Sequence, residues 1–213
     1  MRYAMLAACL VALAAFPVRA EMLSADVWAD NWFEMRIDGN LVAEDSVPIT
    51  TERSFNAEQF QFEAERPFVI GVVGRDFIEN DTGLEYIGSR RQQMGDGGMI
   101  MQIRDSAGRT VAVSDESWQC LPVHIAPLDK TCEAEARPVA GEGPCGFRIS
   151  EAPAGWDLPG FDATGWAQAD VYSARQVDPK GGYDAIGWSP EARFIWGPDL
   201  EQVNTVLCRL AVD

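Results

Sequence analysis

Turn chemistry set between alternating segments constrains this chain more than any other feature. Phe33-Glu34-Met35-Arg36-Ile37 alternates apolar and polar side chains, Asp38-Gly39 supplies residues that tolerate positive φ, and Leu41-Val42 begins a return. That pattern predicts a β-hairpin. A second hairpin is predicted from Met99-Ile100-Met101-Gln102-Ile103, the turn Asp105-Ser106-Ala107-Gly108, and Thr110-Val111-Ala112-Val113 ending at Trp118. Two Asp-bearing turns end on tryptophan, Ser114-Asp115-Glu116-Ser117-Trp118 and Phe161-Asp162-Ala163-Thr164-Gly165-Trp166. Short strands joined this way, with large aromatics at their ends, predict an all-β, antiparallel β-sandwich.

Other segments fill in that outline. Phe60-Gln61-Phe62 lies in an alternating piece from Phe55 to Phe62, and Pro67 to Gly74 is a continuous apolar run suited to a strand covered on both faces. Residues 76–98 are polar and glycine-containing, which predicts a surface loop leading through Gly95-Asp96-Gly97-Gly98 into the next strand. A short helical turn is expected at Ala163 to Ala169, and Arg193 to Trp196 and Thr205 to Val212 read as closing strands.

Residues 1–20 read as a cleaved secretory signal, with Arg2 at the positive start, an apolar stretch from Met5 to Phe16, and Val18-Arg19-Ala20 before Glu21. The apolar stretch is shorter than the roughly 20 residues needed to span a bilayer, so no integral membrane segment is expected. Leu6-Ala7-Ala8-Cys9 resembles a lipoprotein acylation box only superficially, because most of the apolar run would then follow the cysteine. The expected location is periplasmic or secreted. Residues 21–213 then form a single sandwich domain. With Arg2 and Arg19 removed its formal charge is (17 − 2) − 33 = −18, a surface that repels nucleic acid and anionic membranes.

Cys9 leaves with the signal, and Cys120, Cys132, Cys145 and Cys208 remain for an oxidising compartment. Of the three connectivities open to four cysteines, the preferred one joins Cys132 to Cys145 across a Pro/Gly-rich loop and Cys120 to Cys208 between two strands. The loop at about residues 120–160 is thus read as ordered by a disulfide rather than as a linker.

The order of these elements resembles the galactose-binding-domain-like β-sandwich, or jelly roll, as found in accessory domains of bacterial α-L-rhamnosidases, β-galactosidases and sialate O-acetylesterases. The resemblance is carried by Phe33 to Gly39, Phe68 to Gly74, Gly98 to Trp118 and Phe161 to Trp166, and covers roughly residues 30–169. It implies carbohydrate binding or a spacer role. The chain departs from it in lacking the large catalytic domain those modules accompany, and in its Cys120–Cys145 segment.

Sugar recognition needs aromatic faces together with side chains that fix hydroxyls. Trp118, Trp166 and Trp196 belong to fold motifs and are read as packing residues. The candidate ligand-binding residues are Tyr86, Arg90 and Arg91 in the long loop, and Trp188. Two oxygen-rich groups, Asp26, Asp30 and Asn31, and Glu79, Asn80, Asp81 and Glu85, are candidate ligands for a structural Ca2+, against the plain reading of a solvated acidic face.

No catalytic residue is assigned. The chain has no Gly-x-Ser-x-Gly elbow or His-Glu-x-x-His motif, and its one histidine, His124, lies in an apolar extended stretch where packing explains it. The expected function is a non-catalytic carbohydrate-binding or accessory module whose partner is a glycan. The alternatives are a protein-interaction sandwich in an envelope or extracellular assembly, and a small glycan-active hydrolase with paired carboxylates.

Overall fold

The computed structural model describes residues 20–53 and 55–213, so the predicted leader, with Arg2 and Cys9, lies outside the described residues apart from Ala20. The first strands are β1 (Glu21–Asp30), β2 (Trp32–Ile37), β3 (Asn40–Glu44), β4 (Ala57–Ala64) and β5 (Phe68–Arg75). They are followed by β6 (Leu84–Glu85), β7 (Gln93–Met94), β8 (Gly98–Asp105), β9 (Thr110–Val113) and β10 (Gln119–Ile125). The chain closes with β11 (Arg148–Ile149), β12 (Ala167–Gln168), β13 (Asp170–Tyr172), the short helix α1 (Ala174–Val177), β14 (Phe194–Trp196) and β15 (Val203–Val212).

Among the described residues these strands form an antiparallel sandwich of two large sheets. One has the order β13-β14-β8-β1-β4 with β9 beside β8, and the other β11-β10-β15-β5-β2-β3 with β12 beside β10. Both predicted hairpins are present. Asp38 and Gly39 adopt φ of 48° and 80° at the β2–β3 turn, and Gly108 has φ 77° at the β8–β9 turn, where Asp105 Oδ1 accepts from the amides of Ala107 and Arg109.

Strand alternation sorts the side chains. Leu23, Ala25, Val27 and Ala29 of β1 and Met99, Met101 and Ile103 of β8 join Phe33, Met35, Ile70, Val72, Val206 and Cys208 in the core between the sheets. Trp28 and Ile100 point out of the other face of the first sheet. There they pack with Val177, Ala192 and Phe194, with Tyr183 and Trp188 against them, so the segment after β13 covers that outer face. This second layer explains why the end of β1 is buried on both sides although the sheet is antiparallel.

Both preferred disulfides form. Cys120–Cys208 bridges directly paired positions of β10 and β15, and Cys132–Cys145 closes its loop beneath Leu84 with Ile87 and Met94 against it. The staple therefore supports the β6–β7 hairpin, to which Gln92 Nε2 adds bonds to the carbonyls of Glu133 and Glu135 at 2.8 and 2.9 Å.

Two expectations change. Residues 76–98 are not simply a surface loop, because Asp76, Thr82, Leu84 and Glu85 are all buried and β6 pairs with β7. The segment lies between the sandwich corner and the disulfide loop, and its own side chains fill that space. The helical turn expected at Ala163 to Ala169 is replaced by a tight turn, Trp166 N to Ala163 O, and by β12, which pairs with Gln119 and Cys120; pairing satisfies more backbone groups there than one helical turn would. No helix among the described residues is long and apolar enough to cross a membrane.

Candidate functional site

Two of the chain's crossings between the sheets form neighbouring corners. The chain leaves β1 at Asp30 and enters β2 at Trp32, and it leaves β5 at Arg75 and returns to β8 at Gly98. Asn31 links the corners: its amide donates to Arg75 O at 2.8 Å, its Oδ1 accepts from the amide of Phe77, and its Nδ2 donates to Glu52 O at 3.2 Å. Asp76 is tied to β15 through its amide and Asn204 O. Register places Asp30 opposite Gly98.

The segment before β8 reaches the corner because it is rich in glycine. A Cβ at Gly97 would lie 2.4 Å from the Trp196 ring, so any side chain there would push Asp96 away from the corner. Asp30, Asp76 and Asp96 consequently converge, with one oxygen of each within 4.8 Å of the others. Asp30 and Asp76 are 0% and 3% exposed, and none of their four carboxylate oxygens has a hydrogen-bond partner. Asp96 is partly exposed and meets Lys180 Nζ at 3.2 Å. Glu85 is also buried, and its Oε2 accepts from Gln93 Nε2 at 3.0 Å.

Charge in such a place is costly. Two carboxylates at this spacing repel by roughly 3 kcal/mol at an effective dielectric constant of about 20, before desolvation is counted. Burial first, and then the charge of Asp96, pushes the Asp30 carboxyl up to about 8. Burial, followed by Asp30 and Asp96, holds Asp76 well above the carboxylate range. Burial likewise raises Glu85 to about 7 and raises Asp96, for which Lys180 works in the opposite direction. All three aspartates can ionise together only if a proton or a cation compensates them. The donor set is entirely hard oxygen, which suits Ca2+, Mg2+ or Mn2+ rather than Zn2+ or copper.

Beside Asp96 opens a cleft of about 370 Å3, lined also by Glu52, Arg53, Phe55, Glu85, Tyr86, Arg91, Gln93 and Lys180. Tyr86 has φ 51°, an uncommon conformation for an aromatic residue. A hydrogen bond from Tyr86 holds the Glu52 carboxyl below its ordinary value, and the Arg91 guanidinium lies 4.0 Å from the centre of the Tyr86 ring. Lys180 reaches the cleft from the segment that covers the first sheet, 5.5 Å from the Phe55 ring.

Of the ligand candidates read from sequence, Tyr86 and Arg91 meet in this cleft, whereas Arg90 is exposed beside it and is not part of its wall. Trp188 lies in the aromatic cluster on the outer face, stacked on Tyr183 at 5.7 Å, with its indole N–H donating to Tyr183 O. Of the calcium candidates, Asp30 belongs to the converging trio, and Glu85 is a buried acid close enough to raise Asp30 and Asp76 by its charge. Asp26 instead accepts from Gln59, Gln102 and Arg104, and Asn31 spends its oxygen on Phe77. Glu79 accepts from the amide of Ile87, and Asp81 lies 3.3 Å from His124 Nε2. Burial lowers the basicity of that histidine while Asp81 acts against it.

Comparison with protein-family models, curated proteins and solved structures gives no match to this chain. Geometry therefore carries the functional argument. The residues missed from sequence are Asp76 and Asp96 at the corner, and Glu52, Arg53, Phe55, Gln93 and Lys180 in the cleft wall. Asp96 did carry a signal, since an acid set between glycines in Gly95-Asp96-Gly97-Gly98 marks a backbone that must approach something closely. Asp76 carried only its position just after an apolar strand.

Proposed function

We propose that this chain is an exported, non-catalytic recognition module of the galactose-binding-like kind, which holds a glycan in the cleft beside Asp96. The single observation that carries this reading is the grouping of Glu52, Tyr86 and Arg91 in one recess with Gln93 and Lys180. Such a wall offers an aromatic surface together with acceptors and donors for hydroxyls, the combination a sugar ring requires. The two disulfides agree with export to an oxidising compartment.

The test is a glycan array with the purified mature protein and an Arg91→Ala variant. Binding that weakens at least tenfold in the variant is expected. Folded protein that binds nothing across diverse glycans would overturn the reading, and release of reducing sugar from a bound glycan would reassign the cleft to hydrolysis.

A second reading, docking onto another protein, has its own observation. Leu128, Phe147 and Ile149 are 52%, 36% and 57% exposed around the edge strand β11 and the loop closed by Cys132–Cys145. Loss of a co-purifying partner on Ile149→Lys substitution, with glycan binding absent, would favour it.

A further inference from the structure

We infer that Asp30, Asp76 and Asp96 bind one hard divalent cation, Ca2+ in preference to Mg2+, and that this ion ties together two of the corners at which the chain crosses between the sheets, β1–β2 and β5–β8. Two independent observations converge on it. One is the mutual approach of the three carboxylates to within 4.8 Å. Any three points that close lie within about 2.8 Å of a common centre, near the 2.3–2.6 Å of calcium–oxygen contacts. The other is that Asp30 and Asp76 are buried with no hydrogen-bond partner on any carboxylate oxygen.

The contrast with Asp26, on the same strand as Asp30, is informative. Asp26 is supplied with donors from Gln59, Gln102 and Arg104, which is how a folded chain ordinarily settles a half-covered carboxylate. Among the described residues it is Lys180 that donates to this group, and its ammonium meets Asp96 rather than the two buried acids. One positive charge against three aspartates and the neighbouring Glu85 leaves a deficit that a doubly charged ion fits.

The choice of ion follows from donor chemistry and spacing. Cys120, Cys132, Cys145 and Cys208 are consumed in disulfides, and His124 is not among the converging side chains, so no thiolate or imidazole ligand joins the set. Mg2+ demands a compact octahedron with contacts of about 2.0–2.1 Å, whereas Ca2+ accepts wider, irregular sets of 6–8 oxygens. Second carboxylate oxygens and solvent on the Asp96 side would complete the shell.

This inference goes beyond glycan recognition and stands without it, because it is tested with the ion alone. The mature protein is stripped with chelator and titrated with CaCl2 and with MgCl2 by calorimetry, and melting is followed in parallel. One Ca2+ per chain, bound at least tenfold more tightly than Mg2+, and a Tm raised by several degrees are expected. Asp76→Asn and Asp96→Asn should each abolish the Ca2+-induced rise, and Asp76→Asn should melt in chelator at or above the wild-type temperature, an outcome that damaged folding does not produce. A wild-type melt identical in chelator and in 10 mM CaCl2, with no heat of binding, would overturn the site and leave protons as the compensating charge. A full Ca2+ response retained by Asp76→Asn would overturn the ligand assignment.

Discussion

Asp76 and Gly95 are packed so closely that a Cβ built on Gly95 would lie 1.8 Å from Asp76 Oδ2. The contact is between a fixed backbone and a buried carboxylate, so neither side has room to yield. Gly95→Ala should therefore displace the segment carrying Asp96 and lower stability by about 1–3 kcal/mol, the usual range for overpacking. Urea denaturation measures the loss. Unchanged stability together with an unchanged calcium response would show that the segment does not depend on this approach.

The disulfides should contribute unequally. Cys120–Cys208 spans 88 residues and Cys132–Cys145 spans 13. Loop-closure entropy alone assigns them about 4.6 and about 2.9 kcal/mol. Paired Cys→Ser variants measured by chemical denaturation should show the larger loss for the longer loop, while only the Cys132/Cys145 variant should loosen the β6–β7 hairpin in hydrogen exchange. The reverse order would mean that local support of the hairpin outweighs chain entropy.

Asp45 gives a pH dependence with a definite sign. It is buried, its Oδ1 accepts from the amide of Val47 at 2.8 Å, and burial pushes its carboxyl up to about 7. A folded-state value above the unfolded one means that folding takes up a proton, so this contribution to stability is complete below about pH 4 and lost as pH rises through 7. The full change is on the order of 4 kcal/mol. Asp45→Asn keeps an acceptor for Val47 and cannot ionise, so its stability relative to wild type should rise between pH 5 and pH 8. A pH-independent difference would exclude Asp45 as the titrating group.

Trp188 should behave as a packing residue. Its stack on Tyr183 and its indole bond place it in the layer that covers Trp28 and Phe194. Trp188→Ala should cost about 2 kcal/mol, below the range for a fully buried tryptophan because Trp188 is half-exposed. Glycan affinity measured on the folded fraction should be unaffected. A tenfold loss of affinity at full stability would instead place Trp188 in contact with ligand.

Much of this architecture was legible in local pattern. The β2–β3 and β8–β9 hairpins follow from alternation joined by Asp38-Gly39 and by Asp105 to Gly108, and β5 from an apolar run without breaks. For the cysteines the sequence supplied a preferred pairing among three, one short loop and one strand-to-strand bridge, and both of those disulfides form. The candidate site was only half legible. Asp30 and Glu85 stood out as members of acidic groups, yet Asp26, Glu79 and Asp81 looked equivalent to them and are occupied with donors or neighbours elsewhere.

By itself the sequence determined strands and turns, because side-chain alternation and positive-φ residues act within a few neighbouring positions, whereas the cysteines offered three pairings between which only the fold chose. Tertiary structure alone decided which acids meet and which face of β1 is covered. Alternation states that Trp28 and Ala29 point opposite ways without stating what lies over either. Likewise the approach of Asp30, Asp76 and Asp96 is created by two crossings between sheets, where distance in space has no counterpart in distance along the chain.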